Sequence, residues 1–170
     1  MGPAVSEEPA APTGRAPRVR LVRAGRLAWR HRTELLRALV LLPVVAVLLR
    51  RRGQRATAGW LADRRSPNGA RGLDDAAAVP VGQDLAFVVR LAARPLPDAT
   101  CLRTALVLQH LLARRGVGSV VRLGARPRPG GGEPAFHAWV EVAGEVVSEP
   151  VASLAGFVVL SDDTPPPRPG

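Results

Sequence analysis

The chain has 170 residues, enough for one domain with a short appended segment, and its 46% hydrophobic content excludes disorder over its whole length. Its formal net charge is +10, and every basic residue apart from histidine is arginine, so we expect acidic partners to be attracted to it. The single cysteine excludes an internal disulfide and fits a reducing cytosol. Aromatic residues make up only 4% of the chain and do not alternate with arginine, so no nucleic-acid partner is expected.

The first half of the chain predicts an arm followed by helices. Residues 1–17 are rich in Ala and Pro, lead into no apolar core of a secretory signal, and are expected to form a disordered arm. Over residues 19–62 the leucines recur at helical spacing, and Pro43 is expected to kink or divide this region into two helices. A loop containing Pro-Asn-Gly follows at residues 63–79, so residues 18–78 predict a helical N-terminal segment with its linker.

The strongest apolar run, ALVLLPVVAVLL, occupies residues 38–49. These twelve residues are too few to span the roughly 30 Å core of a bilayer, and arginines bound the run on both sides, at Arg37 and at residues 50–52. We therefore expect a buried core helix. A membrane-surface or partner-docking helix is the alternative.

The second half, residues 79–160, predicts an organised α+β core. Apolar residues at helical spacing predict a helix over residues 84–93. After a Pro-rich break, Thr100 or Asp98 is a suitable N-cap for a leucine-rich helix that runs from Cys101 to about residue 115.

Beyond this helix the hydrophobic period changes to two, which predicts strands at residues 119–123 and 135–142. A third strand is expected from Glu145 to Ser148 or Glu149. The predicted architecture is a helix packed on an antiparallel sheet, with a disordered, Pro-rich tail at residues 161–170.

Three chemically active side chains stand out in this half. Cys101 opens a helix, whose positive end favours a thiolate, while His137 lies in a strand and Glu149 follows one strand later. A thiolate, an imidazole that moves its proton and an acid that orients the imidazole form the site of papain-like and transglutaminase-like enzymes. Each residue alone is more often structural, so their combination and chain order carry the hypothesis.

The turn between the last two strands decides whether the acid can reach the imidazole. A two-residue turn at residues 143–144 would place Glu149 on the opposite face of the hairpin from His137, and it requires a positive φ at Ala143, which alanine resists. We therefore expect a three-residue loop at residues 142–144, which sets His137 directly opposite Glu149.

No metal or nucleotide site is expected. The chain offers one cysteine and three scattered histidines, His31, His110 and His137, without the spacing of zinc ligands. The run of glycines at residues 130–132 lacks the lysine and the following helix of a phosphate-binding loop.

The segments LPDATCLRTALVLQHLLARRGV, RLGA and FHAWVEVAGEVVSE resemble the lasso peptide biosynthesis B2 proteins, a branch of the transglutaminase-like superfamily. The similarity extends upstream through ELLRALVLLPVVAVLL and AFVVRLAARPLP, so it covers roughly Thr33 to Phe157. The family's third catalytic residue is usually Asp, twelve positions after the histidine, where this chain has Glu149. The aspartates at 162 and 163 lie in the predicted tail and are poor substitutes.

The resemblance implies a transglutaminase-like cysteine protease core at residues 79–160 that removes the leader from a ribosomally made lasso precursor. Cys101, His137 and Glu149 are then the catalytic residues, and Trp139 shields the ion pair or contacts substrate. The implied partners are the leader peptide, a separate B1-type leader-recognition protein and an asparagine-synthetase-like cyclase. No cofactor is implied in this chain, although ATP dependence through a partner is. The expected location is the cytoplasm, and a peripheral membrane contact through the apolar run at residues 38–49 stays the alternative.

Three other functions stay open. The same triad supports an acyltransferase or crosslinking enzyme that passes the acyl group to an amine instead of water. An inactive scaffold for the cyclase would keep the fold without the chemistry. A binder of nucleic acid or of an acidic membrane would use the arginine excess instead.

Overall fold

The computed structural model describes residues 29–63, 74–96, 100–128 and 130–160. The helices are α1 (Arg32–Asp63), α2 (Asp75–Ala93) and α3 (Cys101–Arg114). The strands are β1 (Val120–Arg126), β2 (Ala135–Val142), β3 (Glu145–Val146) and β4 (Val158–Val159), with a short 3-10 helix at Val151–Leu154. This architecture confirms the predicted α+β class. The predicted arm, the tail and most of the linker lie outside the described residues.

Helix α1 is interrupted at a different residue from the one predicted. Pro43 lies inside the helix on its exposed side, where the loss of one backbone hydrogen bond is tolerated. The break falls instead at Gly53, whose φ of 75° and ψ of 178° lie outside the helical region. Glycine adopts a positive φ without the steric cost that a Cβ atom brings, so the chain changes direction there.

Helix α2 begins nine residues before its predicted start, and the assignment of residues 75–79 to a loop was wrong. The run Asp-Ala-Ala-Ala that opens it combines the strongest helix former with an acidic residue in the first turn. Among the described helices, α2 alone is long and apolar enough to cross a membrane, judged only by its length and composition. In this fold its apolar residues enter the core instead, namely Ala78, Leu85, Ala86, Val88, Val89 and Ala92.

Helix α3 begins and ends at local signals in the sequence. The backbone N–H of Arg103 donates to Thr100 Oγ1 at 3.4 Å, which confirms Thr100 as the N-cap. Gly116 takes a φ of 72° just past the other end, where the N–H of Val117 bonds to the carbonyl of Leu112 at 3.0 Å.

Helices α2 and α3 pack against a four-stranded antiparallel sheet with the order β3-β2-β1-β4, and α1 packs on these two helices. Alternate residues of β2, namely Ala138, Val140 and Val142, are buried among the helices, as a strand of period two requires. Strand β2 matches its prediction, whereas β1 continues to Arg126 and β3 stops at Val146.

The hairpin between β2 and β3 contradicts the predicted three-residue loop. Val142 pairs with Glu145, so the turn has two residues, and Ala143 and Gly144 take φ values of 50° and 78°. Ala143 thus accepts the left-handed conformation that it resists on its own. A three-residue loop would have paired the glutamates at 141 and 145 across the hairpin. The two-residue turn avoids this repulsion between like charges.

An ion pair between a buried glutamate and an exposed arginine joins the start of α1 to the end of α3. Glu34 is only 4% exposed, and its Oε1 accepts from Arg115 Nη2 at 2.5 Å and from Nε at 3.1 Å. The hydroxyl of Thr33 donates to Oε2 at 2.7 Å. Burial raises the pKa of a carboxyl group, but the hydrogen bonds from Arg115 and Thr33 outweigh it and hold the pKa of Glu34 below its ordinary value.

The substitution Glu34→Gln keeps the size of the side chain and removes its charge. At neutral pH we expect the free energy of unfolding to fall by about 1–3 kcal/mol. Because the folded state lowers the pKa of Glu34, this contribution is present above the unfolded pKa and is lost as pH falls through the folded pKa. Urea unfolding should therefore show that Glu34→Gln is less stable than the native protein at neutral pH and equally stable in acid. Glu145→Gln, at an exposed glutamate, is the matched control.

Candidate active site

Cys101 occupies the first position of α3, directly after the Thr100 cap. Its side chain is half-buried and is a free thiol. The Thr104 hydroxyl donates to the carbonyl of Cys101 at 2.8 Å, which closes the first turn around it. Backbone N–H groups in a first turn have no partner within the helix, so this end of α3 can accept negative charge on a sulfur or an oxygen.

His137 and Glu149 are in direct contact. Nε2 of the imidazole lies 2.8 Å from both carboxylate oxygens of Glu149, and both side chains are largely shielded from solvent. An N–H on Nε2 donates to the carboxylate, which fixes the ring orientation and leaves Nδ1 as the nitrogen available for proton transfer. The carboxylate of Glu149 therefore lies beside the imidazole, where an orienting group must lie. A regular hairpin in this register would place Glu149 on the face of the sheet opposite His137.

The contact arises because the β-ladder stops early. Val147 still donates to the carbonyl of Val140 at 3.0 Å, but the backbone then bends at residues 148 and 149. The N–H of Val140 bonds to the side-chain hydroxyl of Ser148 at 3.0 Å instead of to a strand carbonyl. The carbonyl of Ser148 accepts from Arg90 Nη1 of α2 at 2.5 Å. These two bonds at Ser148 turn the next residue, Glu149, back towards the imidazole.

Cys101, His137 and Glu149 border one cleft of about 290 Å³. Its walls come from α2, α3, β2 and the segment after β3, and its other lining residues are Ala86, Val89, Arg90, Thr104, Ala105, Leu108, Ala138 and Ser148. Within the described part of the chain, no hydrogen bond joins the thiol to the imidazole. In apo enzymes such pairs are often separated and tighten when substrate binds.

Trp139 supports the imidazole from beside it and does not line the cleft. Its ring stacks with that of His137 at a centroid distance of 6.5 Å and is only 4% exposed. Its indole N–H donates to Glu141 at 2.9 Å, and Glu141 also accepts from Arg122 at 3.0 Å. Both roles expected of Trp139, shielding of the ion pair and contact with substrate, stay predictions.

Gly124, which pairs with His137 across β1 and β2, provides the space for this tryptophan. A Cβ atom at position 124 would lie 2.8 Å from two carbons of the Trp139 ring and 3.1 Å from the carbonyl oxygen of Val158. Real Cβ atoms essentially never approach other atoms so closely, so only glycine fits beneath the ring.

Phe157 is a neighbour of the imidazole that the sequence did not indicate. Its ring lies 5.5 Å from that of His137, on the segment that leads into β4. The guanidinium of Arg126 lies 4.6 Å from the centre of the Phe157 ring and donates to the carbonyl of Ala155 at 3.3 Å. No sequence motif indicates that Phe157 and Arg90 lie near His137 and Glu149, because their positions depend on contacts between distant parts of the chain.

The other histidines lie away from the cleft. His110 is buried, with Nδ1 3.1 Å from the carbonyl of Leu61, and His31 is buried 3.7 Å from Asp84. Across residues 29–63, 74–96, 100–128 and 130–160, no group of three or more His, Cys, Asp and Glu side chains could hold a metal ion. The aspartates at 162 and 163 lie outside the described residues.

Comparison with known proteins gives one match. The family model of the transglutaminase-like superfamily matches residues 38–162, which is more than half of the chain and includes Cys101, His137 and Glu149. No curated protein and no solved structure matches significantly.

The substitution Gly124→Ala tests the packing that supports the imidazole. The added methyl would clash with Trp139, so we expect the free energy of unfolding to fall by about 1–3 kcal/mol and the near-ultraviolet circular dichroism to change. Urea unfolding measures the first effect. Gly59→Ala is the matched control, since a Cβ atom there meets open space and alanine favours a helix. If Gly124→Ala is as stable as the native protein, the indole of Trp139 does not pack against residue 124.

Proposed function

The chain belongs to the transglutaminase-like superfamily, and on this premise we propose that it is a cysteine protease that removes the leader from a lasso peptide precursor. The superfamily includes cysteine proteases and acyltransferases, so membership alone gives the class of chemistry. The choice of a lasso leader peptidase is supported by the resemblance of the segments around Cys101 and His137 to the B2 proteins.

One observation carries the enzymatic part of the proposal. Nε2 of His137 lies 2.8 Å from the carboxylate of Glu149, in the same cleft that Cys101 borders at the start of α3. A half-buried acid–imidazole contact in the same cleft as a half-buried thiol suits nucleophilic thiol catalysis. A structural histidine would not need a carboxylate at this position and a cysteine in the same cleft.

In the proposed mechanism, the thiol proton of Cys101 passes to Nδ1 of His137, and the sulfur attacks the carbonyl carbon between leader and core. The resulting oxyanion is stabilised by the backbone N–H of Cys101. The imidazolium returns its proton to the leaving amine, so the C–N bond breaks and a thioester remains. Water then attacks this thioester while His137 takes its proton, which releases the leader carboxylate and restores the thiol. Glu149 holds the imidazole and stabilises its charged form throughout.

The walls of the cleft suit a peptide with small or apolar side chains next to the cleaved bond. Ala86, Val89, Ala105 and Leu108 provide an apolar lining, and Arg90 and Thr104 add polar groups. The proposed partners follow from the same resemblance. A B1-type recognition protein presents the leader, and an asparagine-synthetase-like cyclase, through which ATP enters, closes the ring in the cytoplasm.

The substitution Cys101→Ala tests the nucleophile. We expect it to abolish cleavage of the cognate precursor, assayed by mass spectrometry with the recognition protein, the cyclase and ATP present, while circular dichroism shows a folded protein. Ser153→Ala, at an exposed position outside the lining of the cleft, is the matched control and should cleave normally.

Other outcomes of this assay contradict the proposal in distinct ways. Undiminished cleavage by Cys101→Ala refutes the assignment of the nucleophile. A product whose mass shows addition of an amine, and not of water, identifies an acyltransferase. If the native protein leaves the precursor intact, and its Cys101 thiol reacts with alkylating reagents no faster than free cysteine, the protein is an inactive scaffold.

The acid is tested by Glu149→Gln and Glu149→Asp. Glutamine cannot stabilise the charged imidazole, so kcat should fall on the order of 10²- to 10⁴-fold. Aspartate keeps the charge and is the residue that the resembling family usually has, so Glu149→Asp should retain more activity than Glu149→Gln. Glu133→Gln, at an exposed glutamate, is the matched control. Equal activity of Glu149→Gln and the native enzyme would contradict the role of Glu149.

A further inference from the structure

Helix α1 exposes an apolar stripe on the side that faces away from the core. Leu36 and Val40 are each 63% exposed and Val47 is 50% exposed, and with Pro43 they recur at the four- and three-residue spacing of one helix face. The opposite stripe, which includes Ala38, Leu42 and Val45, is fully buried. We call the stripe of Leu36, Val40, Pro43 and Val47 the outer face of α1.

Exposed arginines stand at both ends of the outer face. They are Arg30, Arg32 and Arg37 before or beside its first turn, and Arg50, Arg51 and Arg52 after its last. The single acidic residue between positions 29 and 52 is Glu34, which is buried and paired with Arg115. Six arginines thus stand against one glutamate over residues 29–52, and one of them, Arg37, lies 3.9 Å from Glu34.

A groove of about 400 Å³ borders the outer face. Leu36, Val40 and Leu41 provide its apolar wall, His110 of α3 lies across from them, and Arg37 and Arg114 add cationic groups. Trp29, 73% exposed, precedes the helix, with the guanidinium of Arg32 over its ring at 5.1 Å. An apolar wall with cationic groups beside it suits acyl chains whose headgroups are anionic.

We propose that the outer face of α1 binds the surface of a bilayer that contains anionic phospholipid, with the helix lying in the plane of the interface. The stripe from Leu36 to Val47 is about 17 Å long, too short to span a membrane but sufficient to bury one face of a helix in the interface. The arginines extend over about 33 Å, from residue 30 to residue 52, which matches a continuous anionic surface better than a local acidic patch on a protein. The proposal is independent of the catalytic activity.

The experiment uses the full chain and vesicles of phosphatidylcholine with or without phosphatidylglycerol. Flotation should recover the protein with the anionic vesicles only, and added salt should release it. Trp29 emission should shift to shorter wavelength on binding. Binding to neutral and anionic vesicles alike, or to neither, overturns the proposal, and specific capture by an acidic protein without vesicle binding would assign the outer face to that partner.

Matched variants locate the contact. Leu36→Ser with Val40→Ser should weaken binding roughly tenfold, whereas Val151→Ser with Val158→Ser, at equally exposed valines elsewhere, should not. Arg51→Gln and Arg52→Gln should each weaken binding about fivefold, with Arg128→Gln as the charge control. Vesicle binding that is unchanged in the Leu36 and Val40 variant would show that another surface binds, and would overturn the proposal. All substitutions are at exposed positions, and circular dichroism checks the fold.

Discussion

The geometry of the candidate site depends on where strand β3 stops pairing. If the ladder continued beyond Val146 in its observed register, Glu149 would point away from His137. Instead, the Ser148 hydroxyl satisfies the N–H of Val140, and Arg90 satisfies the carbonyl of Ser148. These two polar groups are therefore satisfied at the bend, and the carboxylate reaches the imidazole. Helix α2 thus contributes to the site through a contact with backbone, without supplying a catalytic group.

The parts of the fold that were predicted correctly are those specified by neighbouring residues. Strand β2 follows from alternation alone, and α3 follows from the Thr100 cap and the glycine that ends it. The prediction that Pro43 kinks or divides its helix was wrong. Pro43 lies within α1, because packing of the surrounding apolar residues compensates for a missing hydrogen bond. The break at Gly53 has no comparable signal, since a glycine in a helical pattern is often tolerated.

The contact between His137 and Glu149 was expected, but the turn invoked to produce it was wrong. Local turn preference disfavours a positive φ at Ala143, whereas the fold accepts it and keeps Glu141 free to bind Arg122 and Trp139. The supporting residues Arg90 and Phe157 come from a preceding helix and from the segment before β4, so no local pattern could assign them. Sequence therefore indicated which side chains meet in the cleft, while long-range packing determines how they are held.

The two ends of α3 have different neighbours, and this has a consequence for access to the cleft. Its first residue is Cys101, whereas Arg115, just past its last turn, is bound to Glu34 near the start of α1. A helix of 14 residues is about 20 Å long, so the thiol stands well away from the end that holds the first turn of α1. The groove beside α1 is lined by His110 and Arg114 from the second half of α3, whereas the cleft is lined by residues of its first half, from Cys101 to Leu108. A peptide that enters the cleft and a lipid held at the groove would therefore contact different parts of the same helix.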